Sequence, residues 1–154
     1  MADKKIVIIP TYNEKENIEN IIRKVFSLEG GFDILIIDDG SPDGTANIVK
    51  GLQQEFPERL FMIERAGKQG LGTAYITGFK WSVSKGYDYT FEMDADFSHN
   101  PDDLPRLYQA CKDGADLAIG SRYCDGISVI NWPIGRIIMS YYACLLYTSP
   151  SPRD

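Results

Sequence analysis

Two uninterrupted apolar runs, Ile6-Val7-Ile8-Ile9 and Ile34-Leu35-Ile36-Ile37, constrain the fold of this chain more than any other feature. A strand with one face in water alternates apolar and polar residues. A short run that is apolar at every position has both faces covered, as in the parallel sheets of α/β proteins. Pro10 stops the first strand, read over residues 5–9, and Asp38-Asp39-Gly40 ends the second, read over 33–37. Leu60-Phe61-Met62-Ile63 reads as a third strand, and residues 87–93 as a fourth that ends in Asp94-Ala95-Asp96.

Between these runs the apolar period changes from continuous to helical. Ile18, Ile21, Ile22, Val25 and Phe26 recur at helix spacing behind Asn13, read as an N-cap with Glu16 three residues on. Ile48, Val49, Leu52 and Phe56 repeat the pattern after Ser41-Pro42-Asp43, and a Gly-rich loop at 67–72 leads into a helix at 73–84. A helix at 104–112 precedes a strand at 116–120, and Pro133 opens another helix that runs to Tyr142. Repeated strand–helix units of this kind predict an α/β fold: a Rossmann-like, mostly parallel sheet with helices on both faces.

The 154 residues, 44% hydrophobic and 25% charged, suit one globular domain. A net charge of −6 without a Lys/Arg stripe argues against nucleic acid as a partner. No stretch approaches the ~18 apolar residues of a membrane span. Met1-Ala2-Asp3-Lys4-Lys5 has no signal-peptide pattern, so the expected compartment is the cytosol. Cys111, Cys124 and Cys144 have neither metal nor redox spacing and read as free thiols. From Cys144 to Asp154 the composition shifts abruptly. One permitted back-translation of that segment resembles a transposase adaptor used in DNA library preparation. The expectation is a domain over residues 1–143 and a foreign scar over 144–154, the alternative being a natural Ser/Pro tail.

In an open parallel sheet, ligands bind beyond the carboxyl ends of the strands, and the polar clusters of this chain fall there. Pro10-Thr11-Tyr12-Asn13-Glu14 follows the first strand, Asp38-Asp39 the second, the Gly loop the third, Asp94-Ala95-Asp96 the fourth and Ser121-Arg122-Tyr123 the fifth. Strand alternation would put Asp94 and Asp96 on one side, a hard-oxygen pair suited to Mg²⁺ or Mn²⁺, whose remaining positions go to water and phosphate. Taken alone, each cluster also fits plain turn or capping chemistry, and Asp94-Ala95-Asp96 fits a solvated acidic turn. The Gly loop is not a Walker A motif, and Tyr75 stands where a dinucleotide fingerprint needs its third glycine. His99 lacks a second His or Cys nearby, so it reads as a loop residue rather than a ligand.

Together, Pro10 to Glu14, Ile37-Asp38-Asp39-Gly40-Ser41-Pro42-Asp43-Gly44-Thr45, Gly70-Leu71-Gly72-Thr73-Ala74-Tyr75, Asp94-Ala95-Asp96-Phe97-Ser98-His99-Asn100-Pro101 and Gly120-Ser121-Arg122-Tyr123 resemble glycosyltransferase family 2, fold type A. Within that family they are most similar to the dolichyl- and polyprenyl-phosphate mannosyltransferases. The resemblance extends from about Lys5 to Ala143 and takes in Asn131-Trp132-Pro133 and Gly135-Arg136. It implies metal-assisted, inverting transfer of mannose from GDP-mannose to a polyprenyl or dolichyl phosphate, by a protein peripheral to the cytosolic face of a membrane. It further implies that Pro10, Tyr12, Glu14, Ile37 and Asp39 surround the nucleoside, with Ala95 along the nucleotide-sugar and Asp94 and Asp96 on the metal. Ser98 falls where some relatives carry a metal-contacting Gln. Arg122, Arg136 and Ser140 match positions facing the donor diphosphate or the acceptor phosphate. Two other readings stay open: a sister enzyme using a UDP-sugar such as UDP-glucose, and a non-enzymatic receiver-like domain with Asp38-Asp39 as an acidic pocket.

Overall fold

A computed structural model describes residues 3–120 and 127–130 of the 154. The chain divides into two compact units, Met1–Leu104 and Pro105–Asp154.

The first unit alternates strand and helix: β1 (Lys5–Thr11), α1 (Ile18–Ser27), β2 (Phe32–Asp38), α2 (Thr45–Glu55), β3 (Leu60–Glu64), α3 (Leu71–Ser84) and β4 (Tyr89–Glu92). All neighbouring strands are parallel, in the order β3-β2-β1-β4. The two uninterrupted runs occupy the two central strands, where Ile6, Val7, Ile8, Ile9, Ile34, Leu35, Ile36 and Ile37 are each 0% exposed. Each such side chain contributes about 1.5–3 kcal/mol by leaving water. On edge strand β3, by contrast, Phe61, Met62 and Ile63 are only half-buried.

Right-handed crossovers assign the helices to faces. The chain steps from β1 to β2 to β3 in one direction, which places α1 and α2 on one face. It then returns past β1 to β4, which places α3 on the other. α1 and α2 pack through Phe26 and Phe56, with ring centroids 4.4 Å apart, and Arg23 reaches across to Glu55 at 2.9 Å. On the opposite face Gly78 of α3 lies directly on Ile8 of β1. The crossover reversal beside β1 creates the switch-point crevice expected to hold a ligand.

β1 runs through Pro10 to Thr11, two residues beyond the predicted stop. Ile8 accepts from the Met93 N–H on the β4 side at 3.1 Å, whereas Thr11 accepts from the Asp39 N–H on the β2 side at 3.1 Å. Pro10 shares the parity of Ile8, so its missing N–H would point to the side that β4 has already left, since β4 ends at Glu92.

Asn13 is not the helix cap: it sits at φ 56°, and α1 starts behind Asn17, whose side chain makes no capping bond. Three successive N–H groups explain the delay. Asn13 N donates to Ser41 Oγ (3.0 Å), Glu14 N to Thr45 Oγ1 (3.1 Å) and Lys15 N to Asp43 Oδ2 (3.1 Å). These ties between two motifs hold residues 13–15 as a loop. α3 conversely begins early, at Leu71, because Gly70 at φ 96° turns the chain into the helix.

In the second unit, α4 (Leu104–Lys112) begins at the junction residue and matches its predicted span, ending before Gly114 at φ 121°. β5 (Leu117–Gly120) pairs antiparallel with β6 (Ile127–Ile130), a strand not predicted from the sequence, in a two-stranded sheet. The expected fifth parallel strand therefore has, among the described residues, an antiparallel ladder. The helix expected at 133–142 and the segment 144–154 lie outside the described residues. No helix among the described residues is long and apolar enough to cross a membrane.

Candidate functional site

The ends of β1, β2 and β4 and the loop before α3 enclose a cleft of about 360 Å³ at the switch point. That volume is in the range of small-molecule sites. Six predicted residues line it: Pro10, Tyr12, Glu14, Asp39, Asp94 and Ala95. Ile37 does not; it is fully buried in β2, so only its backbone can face a ligand from there. Lys68 lines the cleft without having been singled out in the sequence, and Leu71 lines it from within the Gly70–Tyr75 block. A single Lys among Gly67, Gly70 and Gly72 carries no motif that marks it in the sequence.

The consecutive acids Asp38 and Asp39 have different tasks. Asp38 is 1% exposed and accepts from Thr11 Oγ1 (2.8 Å), Ser41 Oγ (2.7 Å) and Ser41 N (3.0 Å), which ties β1 to the turn after β2. Asp39 reaches the cleft, where Arg65 grips both its oxygens at 2.6 and 2.8 Å. Arg65 also donates to Thr73 Oγ1 (2.9 Å) and to Gly70 O (3.3 Å), so one guanidinium joins β2, the Gly loop and α3. A carboxylate oxygen has two acceptor sites, which leaves Asp39 able to accept from a ligand while held by Arg65.

Asp94 and Asp96 lie past the end of β4, in a turn rather than on the strand. Ser98, not strand alternation, brings them together. Its Oγ donates to Asp94 Oδ2 at 3.3 Å and its N–H to Asp96 Oδ1 at 2.9 Å, with Phe97 between at φ 61°. Tyr75, the residue in the third-glycine position, places its hydroxyl 3.3 Å from Asp94 Oδ1. His99 Nδ1 accepts from the Asp94 N–H at 3.3 Å, which commits that nitrogen to the turn.

Hydrogen bonds from Ser98 hold the Asp96 carboxyl below its ordinary value. The Glu14 carboxyl is raised, first by burial and then by the negative charges of Asp96, Asp43 and Asp94, against a lowering hydrogen bond with Asn17. The cleft thus carries a concentrated negative field. Two convergent carboxylates in such a field fit a divalent cation. No cluster of three His, Cys, Asp or Glu side chains able to hold a metal occurs among the described residues. The donor set is therefore incomplete without water or ligand oxygens, as is usual for Mg²⁺. Arg122, Arg136 and Ser140 lie outside the described residues.

Residues 6–150 match the family described as glycosyl transferase family 2. The chain is 48% identical over 139 residues to polyprenol monophosphomannose synthase of Mycolicibacterium smegmatis, covering 90% of this chain and 52% of that protein. It is 43% identical over 140 residues to undecaprenyl-phosphate mannosyltransferase of Micrococcus luteus, covering 91% of this chain and 57% of the relative. The chain thus spans about half the length of these curated relatives. Among solved structures, TarS 1-349 of S. aureus superposes with a TM-score of 0.54 at 22% identity over 71% of this chain and 32% of that one, a likeness of fold. A switch-point cleft bounded by these motifs, on a parallel sheet of this order and with a family match over nearly the whole sequence, has one reading: the chain belongs to glycosyl transferase family 2.

Proposed function

We propose that the protein to which this chain belongs is an inverting mannosyltransferase. It would move mannose from GDP-mannose to a dolichyl or polyprenyl phosphate at the cytosolic face of a membrane, using Mg²⁺ or Mn²⁺. The observation that carries the donor half of this reading is the convergence of Asp94 and Asp96 on Ser98 beside a cleft lined by Tyr12 and Asp39. Mannose and the lipid phosphate enter through the names of the two relatives.

The cleft residues have separable roles in that reaction. Pro10 and Tyr12 offer flat apolar surface to a nucleobase, and Asp39, held by Arg65, accepts from the nucleoside. Asp94 and Asp96 would hold the cation, which supplies Lewis-acid stabilisation to the departing nucleoside diphosphate. The buried backbone of Ala95 lies between the two carboxylates and would run beside the sugar. A phosphate acceptor is already anionic at neutral pH, so its attack needs orientation rather than a strong base. Arg122, Arg136 and Ser140 are proposed for that task.

Incubation of the natural full-length protein with labelled GDP-mannose and polyprenyl phosphate in detergent tests the proposal. The expected product is a mannosyl-phospho-polyprenol whose formation stops on chelation with EDTA. Labelled lipid from UDP-glucose but not from GDP-mannose would move the protein to the UDP-sugar reading. No labelled lipid from either donor would remove the proposed function.

A further inference from the structure

We propose that Lys68 binds the donor's diphosphate and that, with no donor present, its ammonium rests on the ring of Tyr12. This rests on the reading of the cleft as a nucleotide-sugar site and assigns a residue within it.

Charge is the first observation. The acidic lining residues are Glu14, Asp39 and Asp94, with Asp96 close enough to act on Glu14. Arg65 offsets Asp39, but its guanidinium is committed to Asp39, Thr73 and Gly70. Lys68 is the sole cationic side chain among the described residues that line the cleft. A nucleoside diphosphate entering this field is repelled by the remaining carboxylates. A metal held by Asp94 and Asp96 would remove part of that repulsion, and the Lys68 ammonium is the other cationic group lining the cleft that can oppose it.

Position is the second. The Lys68 Nζ sits 4.3 Å from the centroid of the Tyr12 ring. Lys68 is exposed and lies between Gly67 and Gly70 on the loop that leads into α3, so its side chain is open to solvent and to an arriving ligand. An exposed ammonium–ring contact is weaker than a charge-assisted hydrogen bond to a phosphate oxygen. An arriving diphosphate therefore wins Lys68 from Tyr12. The same movement bares the ring face of Tyr12 for the nucleobase, so diphosphate capture and base stacking are coupled through one side chain.

The coupling predicts opposite responses to nucleoside and nucleotide. Titration calorimetry with Mn²⁺ present would compare GDP with guanosine, and UDP with uridine, on the wild type, Lys68→Met and Lys68→Arg. Lys68→Met should weaken the diphosphates about tenfold or more while leaving nucleoside affinity unchanged or slightly higher, and Lys68→Arg should recover most of the loss. Equal diphosphate affinity in wild type and Lys68→Met overturns the assignment and leaves the donor-site reading intact. Equal weakening of nucleoside and diphosphate also overturns it, because that marks a residue that merely shapes the loop. A wild type that binds none of these ligands overturns the assignment together with the proposed function.

Discussion

Arg65 and Asp39 form a two-pronged ion pair at the back of the cleft, with side chains only 7% and 11% exposed. The pair links the end of β2 to the loop that opens α3, so it belongs to both the core and the site. Its loss is expected to be felt in stability as well as in ligand binding.

Replacing Arg65 with Met should destabilise the protein by ~2–3 kcal/mol. A buried carboxylate stripped of its partner costs up to about 3–5 kcal/mol, and access of water through the cleft reduces that figure. Urea unfolding of Arg65→Met, Asp39→Asn and the double variant measures it. A double variant as stable as either single one supports a coupled pair; additive losses contradict it.

Asp94→Asn and Asp96→Asn should each abolish most Mn²⁺-dependent GDP binding while the thermal midpoint changes little, since these carboxylates lie in a turn beyond β4. Tyr75→Phe should weaken metal affinity by about tenfold, the low end for a group that orients a ligand, because its 3.3 Å contact to Asp94 is long. Metal titration followed by Mn²⁺ electron paramagnetic resonance reads both effects. Unchanged affinity in Asp94→Asn would remove the cation from this site.

Gly78→Ala should destabilise the fold despite the better helix propensity of alanine. A Cβ at Gly78 would lie 2.7, 2.8 and 3.1 Å from Cδ1, Cγ2 and Cγ1 of Ile8, a stiff and fully buried side chain. Overpacking costs about 1–3 kcal/mol, and a close clash on a β-branched residue belongs at the upper end, whereas the propensity gain is about 1 kcal/mol. The expected net loss is ~1–2 kcal/mol, read by chemical denaturation. Ile8→Ala should make the second change, Gly78→Ala, far less harmful.

Acid should loosen the junction between the first and second motifs. Hydrogen bonds from the Thr45 hydroxyl, the Thr45 N–H and the Lys15 N–H hold the Asp43 carboxyl below its ordinary value. Its folded value lies below the unfolded one, so its contribution is complete above the unfolded value and is lost as pH falls through the folded value. Asp43→Asn should therefore flatten the acid limb of the stability profile. An acid limb identical to the wild type's would show that the carboxylate adds nothing there.

The sequence by itself determined the sheet and its two covered faces. Residues 6–9 and 34–37 have no polar position to present to water, and Ile18, Ile21, Ile22 and Val25 leave one buried helical face, all found fully buried. It also placed Tyr12, Asp39 and Asp94 beyond strand ends, because parallel strands bring their carboxyl ends to one rim. Tertiary structure decided what local pattern cannot encode. Asn13 reads as a cap, yet Ser41 takes its own N–H while Thr45 and Asp43 take the next two, which postpones α1 to Ile18. Pro10 reads as a strand end, yet β1 continues because the missing donor would face the side from which β4 has departed. Asp38 and Asp39 look alike in sequence, but one is buried against Thr11 and the other turned to Arg65 and the cleft. Lys68 acquired its place only when the Gly loop folded over Tyr12, a contact between residues far apart in the chain. Periodicity reports which face of an element avoids water, whereas hydrogen-bond partners and charge neighbours are set by which elements meet.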